Sequence, residues 1–162
     1  MTDTHARTAS ERLLALCREQ TLMIATAESC TGGLLAGALS EIPGSSDVFE
    51  RGFTTYSNEA KAEMLGVPMA LIQAHGAVSA PVARAMADGA LAHSNAGLSA
   101  AVTGVAGPGG GTAAKPVGLV FVAVARRGRD TVVERHDFPG DRARIRAQSV
   151  LAALALMERS LR

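Results

Sequence analysis

The 162-residue chain has almost no aromatic side chains: no Trp, one Tyr and four Phe, 3% in all. Its core must therefore be aliphatic, and the aromatic platforms that stack RNA bases or single strands are excluded. An excess of charge of either sign is also missing. Sixteen Lys and Arg against fifteen Asp and Glu leave a net charge of +1, so a nucleic acid or an anionic membrane meets no attracting field. Two cysteines, Cys17 and Cys30, are too few for a disulfide framework or a metal cluster. No apolar run approaches the ~18 residues of a membrane span, and residues 1–18 are polar and charged rather than a signal sequence. The expectation is a cytoplasmic protein without membrane or nucleic-acid partners.

Apolar residues make up 48% of the chain, enough to fill one compact domain over residues 1–162. No internal repeat, linker or composition break divides it. Residues 1–7 read as a loose tail. Thr8-Ala9-Ser10-Glu11 resembles a capping box, followed by an apolar stripe of Leu13, Leu14 and Cys17 in a helix ending near Gln20.

Residues 22–26 form a short apolar run, expected to be a buried strand, and residues 34–39 are apolar at helical spacing until Pro43-Gly44 stops them. Between them lies Ala27-Glu28-Ser29-Cys30-Thr31-Gly32-Gly33, a strand-to-helix turn at the carboxyl end of a strand, where open α/β sheets bind ligands. The glycines allow close approach, and the helix start offers N–H groups to an anion or oxyanion. Ser29 is placed to be a nucleophile, although Thr26 and Glu28 stand where a G-x-S-x-G elbow has neighbouring glycines. The same turn would also suit a serine that only caps a helix.

A second strand is expected to end at Tyr56, with Asn58 capping a helix that runs to Leu65 and stops at Gly66. Lys61 falls in that helix's first turn, where the dipole disfavours a cation. Short helices follow over 68–75 and from Ser79 to about 94. Residues 98–103 are a strand of small residues running into Gly104-Val105-Ala106-Gly107-Pro108-Gly109-Gly110-Gly111, a glycine-rich loop without the Lys-Ser/Thr of a P-loop. Residues 117–125 and 131–138 flank Arg126-Arg127-Gly128-Arg129-Asp130 as a β-hairpin. Asp141 caps a last helix whose first turn crowds Arg142, Arg144 and Arg146, against the dipole preference. An anionic ligand would explain this, with Arg142 and Arg146 sharing one face. Residues 150–157 are apolar nearly all round, which predicts burial and a homodimer or larger assembly. The fold class expected is a three-layer α/β/α sandwich. Its sheet would have about five strands, mostly parallel, with one antiparallel strand.

Ser29, Tyr56 with Lys61, and the 104–111 loop thus converge. Neither His75, His93 nor His136 forms an evident His-Asp pair, whereas a lysine can deprotonate a serine once its pKa is lowered. The residues themselves point to acyl transfer by a Ser–Lys arrangement. Two alternatives remain: a non-catalytic nucleotide-binding regulatory module, and Cys30 as the nucleophile.

The motifs Ala27-Glu28-Ser29-Cys30-Thr31-Gly32-Gly33, Tyr56-Ser57-Asn58-Glu59-Ala60-Lys61, Leu65-Gly66-Val67, His75-Gly76-Ala77-Val78-Ser79, Thr103-Gly104-Val105-Ala106-Gly107-Pro108-Gly109-Gly110 and Lys115-Pro116-Val117-Gly118 occur in the order seen in CinA C-terminal domains. The chain resembles that family of nicotinamide-nucleotide amidohydrolases. The resemblance implies an architecture like that of anticodon-binding domains. It also implies hydrolysis of nicotinamide mononucleotide to nicotinate mononucleotide and ammonia, without metal or organic cofactor. It makes Ser29 the nucleophile, Lys61 its base and Tyr56 an assisting hydroxyl. Thr103, Gly104 and Gly107 would match the family's substrate wall, and an arginine of the Gly140-Asp141-Arg142 segment its anion contact; the residues themselves add Thr31, Gly32 and Gly33 as substrate-binding positions and rank Arg142 first and Arg146 second for the phosphate.

Overall fold

The computed structural model describes residues 3–162. Among these residues six α-helices and five strands follow in the order α1 (Thr4–Glu19), β1 (Ile24–Glu28), α2 (Leu34–Ser40), β2 (Phe49–Thr54), α3 (Asn58–Leu65), α4 (Met69–His75), α5 (Ala80–Ala92), β3 (Leu98–Gly104), β4 (Leu119–Arg126), β5 (Val132–Asp137) and α6 (Arg142–Arg159). The strands form one sheet in the order β2-β1-β3-β4-β5. β1 pairs in parallel with both β2 and β3, and β4 runs antiparallel to β3 and β5. Four strands therefore point one way and one the other, as the hairpin signal predicts.

Side chains that alternate along the strands feed two cores. On one face Ile24, Leu98, Val102 and Val122 pack with Leu13, Leu14, Leu35, Leu39 and Leu154 of α1, α2 and α6. On the other, Ala25, Ala27, Ala101 and Ala123 pack with Leu65, Val82 and Met86 of α3 and α5. The alanines on this second face let α5 lie close. Gly89 of α5 passes so near Leu65 that a β-carbon there would overlap the Leu65 carbonyl. This close crossing fixes α3, which carries Lys61, against α5.

Two expectations about the helices change. The tail expected over residues 1–7 is helical from Thr4 onward, because the buried stripe of α1 reaches back through Ser10 to Ala6; Met1 and Thr2 lie outside the described residues. Ser57, not Asn58, caps α3: its Oγ accepts from the Ala60 amide. The expected burial of the apolar stretch of α6 is met for most of its residues: Ala153, Leu154 and Met157 are buried between sheet and α1, Leu151 and Ala152 pack against the same core, Ala155 is exposed, and Arg12 ties α1 to Glu158. Among the described residues no helix is long and apolar enough to cross a membrane.

Candidate active site

The carboxyl ends of β2, β1 and β3 lie side by side, with Thr54 opposite Glu28 and Glu28 opposite Val102. A cleft of about 310 Å³ opens at this edge. Ser29, Tyr56, Lys61, Thr103, the loop from Gly104 to Gly110 and Arg142 line it, together with Cys30, Asn58, Ala77 and Val78.

Ser29 follows β1 directly. Its amide donates to the Val102 carbonyl at 2.9 Å, and its own carbonyl accepts from the Gly32 amide at 3.1 Å. Lys61 reaches it from α3. This lysine is 1% exposed, and its Nζ lies 3.0 Å from Ser29 Oγ, 2.9 Å from the Thr55 carbonyl and 3.4 Å from the Tyr56 carbonyl. Burial lowers its pKa from the ordinary 10.5, opposed by the Cys30 sulfur. Burial and the helix dipole thus both disfavour the charged form at this position.

Cys30 borders the cleft but is buried. Its side chain is 7% exposed and joins the α1–α2–α6 core, and burial pushes its thiol up to about 11. A thiol so held is a poor source of thiolate near neutral pH.

The remaining expected site residues separate into two groups. Thr103 donates its hydroxyl to the Ala77 carbonyl at 2.9 Å and lines the cleft with Gly104 and Gly107. Arg142 joins them, donating Nη1 to the Gly107 carbonyl at 2.8 Å and Nη2 to the Tyr56 hydroxyl at 3.3 Å. Tyr56 is 63% exposed, so its hydroxyl sits at the rim on Arg142 while its carbonyl faces Lys61.

Thr31, Gly32, Gly33 and Arg146, by contrast, are not part of the cleft wall. The Thr31 hydroxyl turns inward to Glu28 at 2.6 Å. Gly33, at φ 108°, leads into α2 and borders a separate apolar hollow between α1, α2 and α6. Arg146 donates Nε to the Cys30 carbonyl and Nη2 to the Thr31 carbonyl. Arg142 and Arg146, expected to act together, thus reach different partners.

The start of α2 is also not open to an anion. Glu28, 1% exposed, accepts from the amides of Leu35 at 2.8 Å and Ala36 at 3.0 Å. Sequence reasoning missed this carboxylate. The available signal was an acid closing an otherwise apolar strand, shortly before a helix start that lacks an acidic first turn.

A model of the CinA C-terminal domain family matches residues 6–161. Among curated relatives, a CinA-like protein of Citrifermentans bemidjiense is 51% identical over 151 residues, 93% of this chain and 36% of that one. A CinA-like protein of Mycobacterium marinum is 55% identical over 139 residues, 85% of this chain and 32% of that one. The chain thus spans about a third of the length of these relatives. Among solved structures, the competence/damage inducible protein CihA from Agrobacterium tumefaciens superimposes with a TM-score of 0.96 at 44% identity, covering 99% of this chain and 98% of that one. A CinA superfamily protein from Enterobacter cloacae superimposes at 0.93 with 30% identity, covering 100% and 95%.

Proposed function

The chain belongs to the CinA C-terminal domain family, and on that premise we propose that it is an amidohydrolase that converts nicotinamide mononucleotide to nicotinate mononucleotide and ammonia. The observation that carries the reading is a buried lysine amine 3.0 Å from a serine hydroxyl at the strand edge. The carbonyls of Thr55 and Tyr56 can take the two N–H bonds of a neutral amine. Its lone pair is then left toward Ser29 Oγ, which is what a general base for that hydroxyl requires.

Ser29 Oγ attacks the carboxamide carbon as its proton passes to Lys61 Nζ. The tetrahedral oxyanion needs N–H donors, and since α2's first turn is occupied by Glu28, the backbone of the glycine loop is the candidate to provide them. Lys61 then returns its proton to the departing ammonia, leaving an acyl-enzyme on Ser29. Water, deprotonated by Lys61, attacks the ester, and the carboxylate product leaves with Ser29 restored. A cationic pyridinium withdraws electrons from the carboxamide and favours both attacks. Arg142 is the cation at the cleft rim, and a phosphate drawn there would position the reacting bond at a distance from it.

The deciding experiment measures ammonia release from nicotinamide mononucleotide by the purified wild type and Ser29→Ala. Release by the wild type and none by the variant is expected. Binding of the nucleotide without any ammonia release would favour a nucleotide-binding regulatory module.

A further inference from the structure

Two side chains that the proposed chemistry does not use hold the Ser29 turn, one through its donors and one through its acceptors. The turn spans residues 29–33 and ends in two glycines at positive φ, Gly32 at 58° and Gly33 at 108°, a segment of high intrinsic freedom. Its own backbone contributes two bonds, Gly32 N–H to Ser29 O and Leu34 N–H to Thr31 O. Glu28 takes up donors: the Thr31 hydroxyl at 2.6 Å and the amides of Leu35 and Ala36 at the start of α2. Arg146 takes up acceptors: from α6, its Nε reaches the Cys30 carbonyl at 3.0 Å and its Nη2 the Thr31 carbonyl at 3.2 Å. A β-carbon on Gly32 would stand 3.2 Å from that Nη2. The guanidinium therefore lies directly over the turn.

We infer that Glu28 and Arg146 are positioning residues, a two-sided clamp that keeps Ser29 Oγ in line with Lys61 Nζ. The carboxylate ties the Thr31 hydroxyl of the turn to the first amides of α2, and the guanidinium ties the turn's Cys30 and Thr31 carbonyls to α6. The Ser29 amide is already held by Val102 of β3, so the clamp fixes the other end of a short lever that carries the nucleophile. A displacement of about 1 Å at a reacting atom can cost about 10²-fold in rate. The inference assigns Arg146 to the turn, not to the substrate's phosphate. It rests on Ser29 as the nucleophile, not on which carboxamide Ser29 attacks.

The test uses Glu28→Gln, Arg146→Lys and Arg146→Ala, each checked for fold by circular dichroism and thermal melting and assayed well below its melting temperature. Two rates are followed. One is phosphonylation of Ser29 by a fluorophosphonate probe, read by mass spectrometry. The other is turnover of nicotinamide mononucleotide and of its unphosphorylated riboside. A clamp that acts through Ser29 lowers phosphonylation and kcat together, by about tenfold or more. KM stays nearly unchanged, the factor is the same for nucleotide and riboside, and Arg146→Lys recovers part of what Arg146→Ala loses. A purely structural role lowers the melting temperature and leaves both rates of the folded enzyme intact, which overturns the inference. A loss in the Arg146 variants confined to the phosphorylated substrate also overturns it and makes Arg146 a phosphate ligand. Slower phosphonylation in the variants, with no ammonia release even by the wild type, refutes the amidase reading and leaves the clamp standing. A wild type that is neither labelled nor active refutes both. If Glu28→Gln unfolds, Arg146→Lys carries the same test.

Discussion

Replacing Lys61 with Met keeps an unbranched apolar stem in a buried position and removes the only group, among the described residues, within hydrogen-bonding distance of Ser29 Oγ that can act as its base. General-base assistance contributes about 10²–10⁴ in rate, which is about 3–5 kcal/mol of barrier at about 1.4 kcal/mol per tenfold. Lys61→Met should lose kcat by that factor. Lys61→Arg should fare no better, because arginine holds its proton at neutral pH. The same burial has a signature in stability. The amine's pKa is lower in the folded chain than its ordinary 10.5, so the unfolded chain binds more protons in the window between those values. Stability of the wild type must then rise with pH across that window, and the penalty for burying a cation is fully present below it. Lys61→Met lacks this term. The difference in unfolding free energy between wild type and variant should move in favour of the wild type as pH rises, by at most about 1.4 kcal/mol per pH unit. Denaturant titrations at several pH values measure this slope, and ammonia release measures the rate. A Lys61→Met enzyme within about threefold of wild-type kcat would refute the base, since even modest general-base help is about 10²-fold. A stability difference independent of pH would refute the buried neutral amine.

Ser29→Ala should abolish turnover while nicotinamide mononucleotide still binds, measured by calorimetry beside the ammonia assay; turnover near wild type would remove the nucleophile. Cys30→Ala should retain activity, because the thiol is buried and its pKa is pushed up to about 11, and a thiol alkylator should inactivate the native enzyme slowly; loss of turnover with the fold intact would restore Cys30 as the nucleophile. Arg142→Ala should reduce kcat/KM for the nucleotide by about tenfold to a hundredfold, the range of one charge-assisted contact, and far less for the riboside. Equal losses on both would leave Arg142 only its contacts to Gly107 and Tyr56.

Much of the fold was legible because it rests on periodicity. The apolar runs at 22–26 and 98–103, the glycine stops and the hairpin at 126–130 each carry local signals that tertiary packing shifts by a residue or two but does not override. Ser29, Lys61 and Arg142 were legible because each breaks a local rule: a polar turn at a strand end, and cations at helix starts. The errors share a different cause. The serine cap of α3, the early start of α1 and the destination of Arg146 are all matters of where a side chain points once its neighbours are in place. Spacing puts Arg142 and Arg146 on one helix face, but α6 packs on the face of the sheet beside α1 and α2, and one turn of separation takes the second guanidinium away from the cleft to the Cys30 and Thr31 carbonyls. Glu28 escaped notice for the same reason, since its acceptors find their donors only after α2 has packed.

The single reversed strand explains why so many of these groups meet at one edge. Had β4 run parallel to β3, the chain leaving Gly104 would have had to cross to the far edge of the sheet before starting the next strand. Because β4 is antiparallel, Gly104 lies opposite Val120, and residues 105–118 begin and end at the edge that carries Ser29. Their neck is closed by Val105 N–H to Leu119 O and Gly118 N–H to Val105 O, both at the base of the loop. β5 then reverses again and finishes at this edge, with Asp137 opposite Leu119. The helix that follows must therefore start here, and its first residue, Arg142, lands on the Gly107 carbonyl. One strand's direction thus supplies both the glycine wall and the cation that faces it, while the two parallel neighbours of β1 supply the nucleophile's anchor and its base.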